Sequence, residues 1–469
     1  MHPIPDVDKP QLKIDDFLHL AVDSSRLPPI HWLTAKQIAC LALRAAGHYQ
    51  TAELKTVKVS SREYVAQTNL YGLSISGDSE QSVKAKSACE KFWRRALDKC
   101  ADLSRLNFEA EYRLVGGSGD GVQIYASNET VSRARAKKEA VEKFLETQVL
   151  VSNATGKKFS MLDLSRQSAI NRFNELYWVT KNFEALARDR GMGWIFATYT
   201  SPPEYHPNPL LGRCSYDASL GVKASHEYIA LAWARVRATL SKRGVVASPD
   251  FYFGTRTAEV HKDGSIHWHL LIFIEPSVLE KFIEASKEHF SLKGQMKVEI
   301  GDDSRGSASS YVFKYLVKGF DAGAVNVEIP DDWEEDERRE QNDLSTIRNG
   351  ERVRAALKAM RIRQYQTFGV KKVMSIIRAI NRIGEDEFDS LNNMTLAMVK
   401  REIWRNEFGL KYLLDHSDLV KKVAGKAIIM LVREGGQSKY GETTSKLNGI
   451  SIDGIFFKTV GRYSVEKMD

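Results

Sequence analysis

Two pairs of side chains have the types and spacing to act on a phosphodiester. Tyr311 and Tyr315 are four residues apart, so a helix would present both phenols on one face. His267 and His269 are two residues apart in an apolar segment, so a strand would turn both imidazoles to one side, where they could bind one cation. A cation beside a phenol nucleophile indicates a metal-assisted tyrosine nuclease, and we predict Tyr311 and Tyr315 as its catalytic residues.

These residues also carry a family resemblance. The sequence from residue 267 reads His-Trp-His-Leu-Leu-Ile-Phe, and Tyr311-x-x-Lys314-Tyr315 follows downstream. This combination resembles the HUH endonucleases that initiate rolling-circle replication, specifically the phage replication gene A protein family. The resemblance extends over roughly residues 194–368.

Two further stretches match the family. The pattern Glu-Pro-His-x-Asp-Gly-x-Pro-His-Trp-His is present from Glu259 to His269, except that Val260 and Ile266 replace its two prolines. The segment Phe-Ala-Thr-Tyr-Thr-Ser-Pro-Pro-Glu-Tyr-His-Pro, residues 196–207, resembles the first motif of the family. Its two threonines, at positions 198 and 200, would share one face of a strand.

The turn before His267 decides which residues share a face with the histidines. If Asp263-Gly264 formed a two-residue turn, Glu259 would point to the opposite face from His267. If residues 262–264 form a three-residue loop, with the glycine in the left-handed conformation, Glu259 lies opposite His267. We predict the three-residue loop.

With that loop, the hairpin presents one carboxylate and two imidazoles on one face. We predict Glu259, His267 and His269 as metal ligands, because a mixed oxygen and nitrogen set suits Mg²⁺ or Mn²⁺ and leaves positions for phosphate and water. His261 lies on the same face and is an alternative third ligand, although we favour its being an exposed hairpin residue. Trp268 points the other way and is predicted to lie in the core.

The family resemblance implies a reaction. A tyrosine would form a 5′-phosphotyrosine link and release a 3′-hydroxyl, and the strand could be resealed without ATP because the link keeps the phosphodiester energy. Two tyrosines would allow a second cleavage while the first link persists. Lys314 and Lys318 each follow a tyrosine by three residues, and we predict that they bind DNA. For Lys318, a solvated position on an exposed helix face is a serious alternative.

Composition and charge limit the kind of protein. Lys and Arg number 68 against 60 Asp and Glu, giving a net charge of +8 and a pI near 9.0, which favours a polyanionic partner. The four cysteines lack the spacing of a zinc ribbon or a disulfide framework, so we expect a reducing cytoplasm. The family resemblance implies that this is the cytoplasm of a bacterial host. No apolar run approaches the ~20 residues that cross a bilayer, so no membrane association is expected.

The periodicity predicts an α+β fold. Residues 34–183 read mostly as helices, whereas residues 194–200, 251–259, 267–274 and 296–300 read as strands of an antiparallel sheet. The resemblance implies that this sheet is the core of an HUH nuclease. We predict a helical N-terminal domain, residues 1–185, as a candidate for DNA recognition. The HUH endonuclease domain would comprise residues 186–325, and a mainly helical C-terminal region with a short β tail would comprise residues 326–469.

The resemblance implies a site-specific single-strand DNA endonuclease and strand transferase that initiates rolling-circle replication. Its partners would be single-stranded or supercoiled origin DNA and a host helicase and polymerase. The sequence has no Gly-x-x-x-x-Gly-Lys-Ser/Thr motif, so we expect no nucleotide cofactor. Two alternatives stay open: an HUH transposase or relaxase that uses similar residues, and a non-catalytic DNA-binding replication protein with structural histidines.

Overall fold

The computed structural model describes residues 22–119, 121–210, 212–301, 308, 344–370, 373–422, 426–461 and 463–468. The predicted catalytic Tyr311 and Tyr315 and the predicted DNA-binding Lys314 and Lys318 lie outside the described residues. Within the described part of the chain, no helix combines the length and the apolar character needed to cross a membrane.

The chain divides into two compact units. One consists of Met1–Tyr112 and Arg433–Lys446, and the other of Arg113–Val432 and Leu447–Asp469. The predicted division after residues 185 and 325 stays a prediction.

The first unit combines helices with a small sheet. Helix α1 (Ala35–Thr51) begins at a capping box, in which Thr34 and Gln37 each accept a hydrogen bond from the other's backbone N–H. The antiparallel strands β1 (Thr56–Ser60), β2 (Glu63–Gln67) and β3 (Ser74–Gly77) follow, and then helices α2 (Glu80–Ser87) and α3 (Glu90–Glu111). The sheet lies in a segment predicted to be mostly helical. Its signal is the alternation of valine with polar residues in Thr-Val-Lys-Val-Ser, which has the period of a strand.

The second unit is built around a five-stranded antiparallel sheet. Its elements up to residue 300 are α4 (Asn128–Glu146), β4 (Gln148–Ser152), β5 (Lys158–Ser160), α5 (Met161–Asp189), β6 (Gly193–Tyr199), α6 (Ala224–Lys242), β7 (Tyr252–Val260), β8 (Ile266–Ile274), α7 (Leu279–His289) and β9 (Met296–Ile300). The main sheet has the order β10-β7-β8-β6-β9, where β10 is Tyr365–Phe368. All four neighbouring pairs are antiparallel. The predicted α+β class and the four predicted strands are confirmed.

Strand β10 was not predicted. It lies in a segment whose neighbours on both sides are helical, so the sequence pattern gave no separate strand there. It pairs along β7, from Tyr365 opposite Thr257 to Phe368 opposite Gly254. A further hydrogen bond joins Ala258 N to the Gln364 carbonyl at 2.7 Å. The β7 edge of the β7–β8 hairpin is therefore paired with a strand that lies much later in the sequence.

The remaining elements are helices followed by short strands. In chain order they are α8 (Leu344–Met360), α9 (Val373–Ile380), α10 (Glu385–Asp389), α11 (Met394–Glu402), α12 (Gly409–Asp415), β11 (Ile429–Gln437), β12 (Thr443–Ile452), β13 (Ile455–Lys458) and β14 (Tyr463–Lys467). Strand β12 pairs with β13 as an antiparallel hairpin in the part of the chain where a short β tail was predicted, and β14 pairs with β4. Short 3₁₀ helices occur at Ser24–Arg26, Ile30–Trp32, Pro203–Tyr205, Pro276–Val278 and Ser417–Leu419.

One face of the central hairpin changes character along its length. Leu271 and Phe273 on β8 and Phe253 on β7 are almost fully buried in a core that includes Phe183 of α5. Because alternate residues of a strand share a face, the same face continues from Leu271 to residues 269 and 267, which are histidines. The apolar half of the face anchors the sheet, and the polar half holds the candidate site.

Candidate metal centre

The hairpin has the turn that its sequence predicts. Gly264 N donates to the His261 carbonyl at 2.8 Å, and His261 N donates to the Ser265 carbonyl at 2.7 Å, which closes a three-residue loop. Gly264 has a φ of 89°, in the left-handed region that favours glycine. Glu259 lies opposite His267, so the predicted register is confirmed.

His269 is held by two polar contacts and one ring contact. Its Nε2 lies 2.6 Å from Oε2 of Glu259, and its Nδ1 lies 3.1 Å from Oγ1 of Thr198 on the neighbouring strand β6. The ring of Phe196 stacks on it with centroids 5.6 Å apart. The imidazole is therefore fixed in orientation next to a carboxylate.

His267 turns toward a different set of neighbours. Its ring stacks on that of His261, with centroids 4.5 Å apart and planes within 6°. Thr200 Oγ1 lies 2.9 Å from both ring nitrogens, so this contact does not select one tautomer. Burial, followed by the nearby His261 and His206, lowers the pKa of His267 to about 3. The ring is thus neutral near pH 7, which is the form that binds metals.

A buried carboxylate organises the histidines at the turn. Asp263 is 2% exposed, and its two oxygens lie 3.0 Å from His206 Nδ1 and 3.2 Å from His261 Nδ1. Ser265 adds hydrogen bonds from its backbone N–H and its hydroxyl to the same carboxylate. Burial alone would raise the pKa of Asp263, but the hydrogen bonds and charges of the two histidines hold it well below its usual range. The carboxylate is therefore ionised near pH 7.

The three predicted metal ligands lie in two separate groups of side chains. Glu259 and His269 bond to each other, while His267 groups with His206 and His261. Among the described residues, this histidine trio is the one group of three candidate ligands whose donor atoms all lie within 4.8 Å of one another. The ligand set Glu259, His267 and His269 stays a prediction. His261, favoured from sequence as merely exposed, packs on His267 although its side chain is 40% exposed.

The opposite face of the hairpin is core, as predicted for Trp268. This residue is 3% exposed, and the Arg256 guanidinium lies 4.1 Å from its ring centroid. Its indole N–H donates to His226 Nδ1 at 3.1 Å. Arg256 in turn donates to the Arg363 carbonyl at 3.2 Å and to Gln366 at 2.9 Å, which connects this face to β10.

Sequence reasoning missed two members of the site. His206 was present in the first-motif segment but received no role, because it lies far from the hairpin along the chain. Asp263 was assigned to the turn on the basis of its residue type, and nothing in that pattern showed that its side chain would be buried between two imidazoles. The shared face of Thr198 and Thr200 was predicted, and each threonine contacts one histidine of the His-x-His pair.

A model of a known protein family matches the part of the chain that contains the candidate metal centre. The family model of the bacteriophage replication gene A protein (GPA) matches residues 74–323, more than half of the chain, including the whole hairpin. The chain belongs to the bacteriophage replication gene A protein family. This confirms the resemblance read from the motif that ends at His269.

Proteins similar to this chain come from phages and prophage-like regions. The chain is 26% identical over 399 residues to the probable replication protein P12 of Pseudoalteromonas phage PM2, which covers 81% of this chain and 59% of that protein. It is 28% identical over 314 residues to the replication gene A protein of Escherichia phage 186, covering 64% and 42% respectively.

A third relative is a probable replication endonuclease from a prophage-like region of Salmonella typhi, 28% identical over 300 residues, covering 61% of this chain and 35% of that protein. The chain thus spans between 35% and 59% of the length of these relatives. No solved structure matches the chain.

Proposed function

We propose that this protein is a site-specific single-strand DNA endonuclease and strand transferase of the HUH type. It nicks an origin through a 5′-phosphotyrosine link and initiates rolling-circle DNA replication. The observation that carries the proposal is the hairpin of a replication gene A family member, in which Glu259 lies opposite His267 and bonds to His269. A carboxylate and two imidazoles on one face suit a cation that binds a scissile phosphate.

The donor set fits Mg²⁺ or Mn²⁺, which we propose as the cofactor. Glu259, His267 and His269 would hold it, because one carboxylate oxygen and two nitrogens leave coordination positions for phosphate and water. The cation would neutralise charge on the phosphate and align it for attack. His267 needs no deprotonation for this role at neutral pH, since its pKa is lowered to about 3 by burial and by neighbouring histidines.

Tyr311 and Tyr315 are the proposed nucleophiles. The phenol of one loses its proton to solvent, its oxygen attacks the phosphorus, and the bond from phosphorus to the 3′ oxygen breaks. The leaving oxygen takes up a proton and becomes a 3′-hydroxyl, which a host polymerase can extend behind a host helicase. Resealing reverses these steps and requires no external energy. Lys314 and Lys318 are proposed to bind the DNA backbone beside the two phenols.

The test is to trap the covalent intermediate. Full-length protein is incubated with Mg²⁺ or Mn²⁺ and labelled single-stranded DNA from a candidate origin and from a random-sequence pool, then separated by denaturing electrophoresis. We expect a protein–DNA adduct that chelator abolishes, with peptide mapping to residue 311 or 315. The double variant Tyr311→Phe/Tyr315→Phe should form none, whereas Tyr463→Phe, at a tyrosine that is 51% exposed, serves as the matched control.

The outcomes separate the alternatives. An adduct that survives in the double variant, or that maps to another residue, would overturn the tyrosine assignment. Tight DNA binding without any adduct on the random pool would indicate a non-catalytic replication protein. If the adduct forms, release of single-stranded circles from a plasmid carrying the origin supports replication, and insertion into a second DNA would indicate a transposase.

A further inference from the structure

His267 also belongs to a group of three histidines, two of which the proposed Mg²⁺ or Mn²⁺ set does not use. Here His206, delivered by the chain after β6, meets His261 and His267 of the hairpin. The ring of His206 stands edge-on to both other rings, with centroids 5.8 Å from His261 and 5.7 Å from His267. Three imidazoles thus converge from two separate parts of the chain.

We propose that His206, His261 and His267 form a binding site for a transition-metal ion such as Zn²⁺ or Co²⁺, distinct from the Glu259 and His269 pair. Three nitrogen donors without a carboxylate favour a borderline transition metal over Mg²⁺, and three histidines with an open fourth position are a known arrangement for Zn²⁺. In a tetrahedral site with such bond lengths, donor atoms are about 3.3 Å apart, and one nitrogen of each ring now lies within 4.8 Å of the other two. Because the His267 ring is stacked on that of His261, it has to turn before both rings direct a lone pair at the same ion.

Asp263 is the positioning residue of this site. Its carboxylate oxygens take the Nδ1 side of both His206 and His261, which leaves Nε2 of each ring for a cation. Carboxylates that hold ligating histidines in this way fix the tautomer and the ring orientation. The contacts of Nε2 in His206 are weak by comparison, since Ser201 Oγ lies 3.5 Å away.

The turn that carries Asp263 is fixed from outside the hairpin. Tyr125 N donates to the Lys262 carbonyl at 3.0 Å. Gly116 approaches so closely that a Cβ there would lie 2.7 Å from Asp263 Cα. Because the carboxylate cannot easily shift, His206 and His261 are preorganised, and most of the adjustment falls to the His267 ring.

His267 belongs to both proposed cation-binding sites. A transition metal bound by the trio would withdraw this ring from Glu259 and His269, so Zn²⁺ should inhibit nicking that Mg²⁺ or Mn²⁺ supports. That inhibition rests on the proposed function, whereas metal binding by the trio does not. Binding is therefore measured on the full-length protein without DNA.

The experiment is a Co²⁺ titration followed by visible absorbance, with Zn²⁺ displacement monitored by calorimetry. We expect one strongly bound ion per chain. His206→Ala should weaken binding by at least 100-fold and Asp263→Asn by 10- to 100-fold, whereas Glu259→Gln and the surface control His416→Ala should match the unmodified protein. Thermal melting of the metal-free variants shows whether each is folded, and His206→Asn replaces the alanine variant if that one is not.

Two results would overturn the inference. One is unchanged Co²⁺ absorbance and affinity in folded His206→Ala. The other is loss of the bound ion in Glu259→Gln, which would assign the metal to the carboxylate side instead. Because no DNA is present, failure here leaves the adduct assay unaffected, and failure of the adduct assay leaves this titration unaffected.

Discussion

The Glu259 carboxylate hydrogen-bonds the His269 ring diagonally across the β7–β8 hairpin, with 2.6 Å between Oε2 and Nε2. The other ring nitrogen of His269 faces the Thr198 hydroxyl, so the ring is held from both sides. Such a contact preorganises a ligand before a cation arrives, because the carboxylate and the imidazole are already neighbours. It also makes Glu259 the side chain whose removal is most informative.

Glu259→Gln should raise the Mg²⁺ or Mn²⁺ concentration that nicking requires, while the fold is kept. The amide has the size of the carboxylate but lacks its charge, so we expect the metal concentration for half-maximal adduct formation to rise by about 10- to 100-fold. Metal titration of the adduct assay measures this. Glu466→Gln, on an exposed strand, is the control. An unchanged metal requirement would exclude Glu259 as a ligand.

Gly264→Ala should lower the free energy of unfolding by about 1–2 kcal/mol, because its φ of 89° is costly for a residue with a Cβ. Space is not the reason, since a Cβ there would meet only Val222 Cγ2 at 3.8 Å and the Tyr125 carbonyl at 3.9 Å. Gly264→Asn should cost less. Gly254→Ala is the contrasting variant, because here a steric clash and not a positive φ would destabilise the protein. Its Cβ would lie 2.0 Å from the Leu271 carbonyl oxygen. Urea denaturation ranks the three variants, and equal stability of Gly264→Ala and unmodified protein would refute the argument.

The buried His226 should lower the free energy of unfolding when the pH falls from 7 to 5. Burial, then the nearby Arg256 and Lys223, lower its pKa to about 4, against about 6.5 in an unfolded chain. Between these values the unfolded state binds a proton that the folded state does not, so stability present above pH 6.5 is lost as the pH falls toward 4. The contribution should be about 1–2 kcal/mol between pH 7 and pH 5.

The variant His226→Gln tests this pH dependence, because glutamine still offers an acceptor to the Trp268 indole but does not titrate. The stability difference between pH 7 and pH 5, from urea midpoints, should shrink by the amount that His226 contributes. If the difference is the same in both proteins, other groups cause the acid sensitivity.

Trp268→Ala should destabilise the hairpin severely, by about 3–5 kcal/mol, since the side chain is 3% exposed and lies against Arg256. Trp268→Phe keeps a ring for the guanidinium but removes the donor to His226, so a loss of about 1–2 kcal/mol is expected. Thermal melting distinguishes the two. Similar losses in both variants would mean that the hydrogen bond, not the packing, dominates.

The hairpin was predictable because its information is local. Loop length and the glycine in the turn fix the register, and the register places Glu259 opposite His267. His206 was not predictable in this way, because its position depends on how the chain after β6 returns to the turn. The burial of Asp263 likewise depends on Gly116 and Tyr125, which are distant in sequence.

The limits of local pattern also explain the missed strands. Residues 365–368 form β10 only because β7 offers an unpaired edge, so a four-residue segment between helices becomes a strand through its partner. In β1, the valines alternate as in a strand but are more than half exposed, at 62% for Val57 and 55% for Val59. A segment that buries so little gives a weak signal next to the long helices around it.

The pairing of β10 with β7 bears on how this site can be separated from the rest of the protein. A fragment that ended at residue 325 would contain β6 to β9 but not β10, and would leave the backbone of β7 unsatisfied along residues 254–257. Such an open edge recruits strands from other molecules and promotes aggregation. A recombinant or engineered protein that carries the histidine hairpin therefore also needs the chain through Phe368, so that β10 can pair with β7.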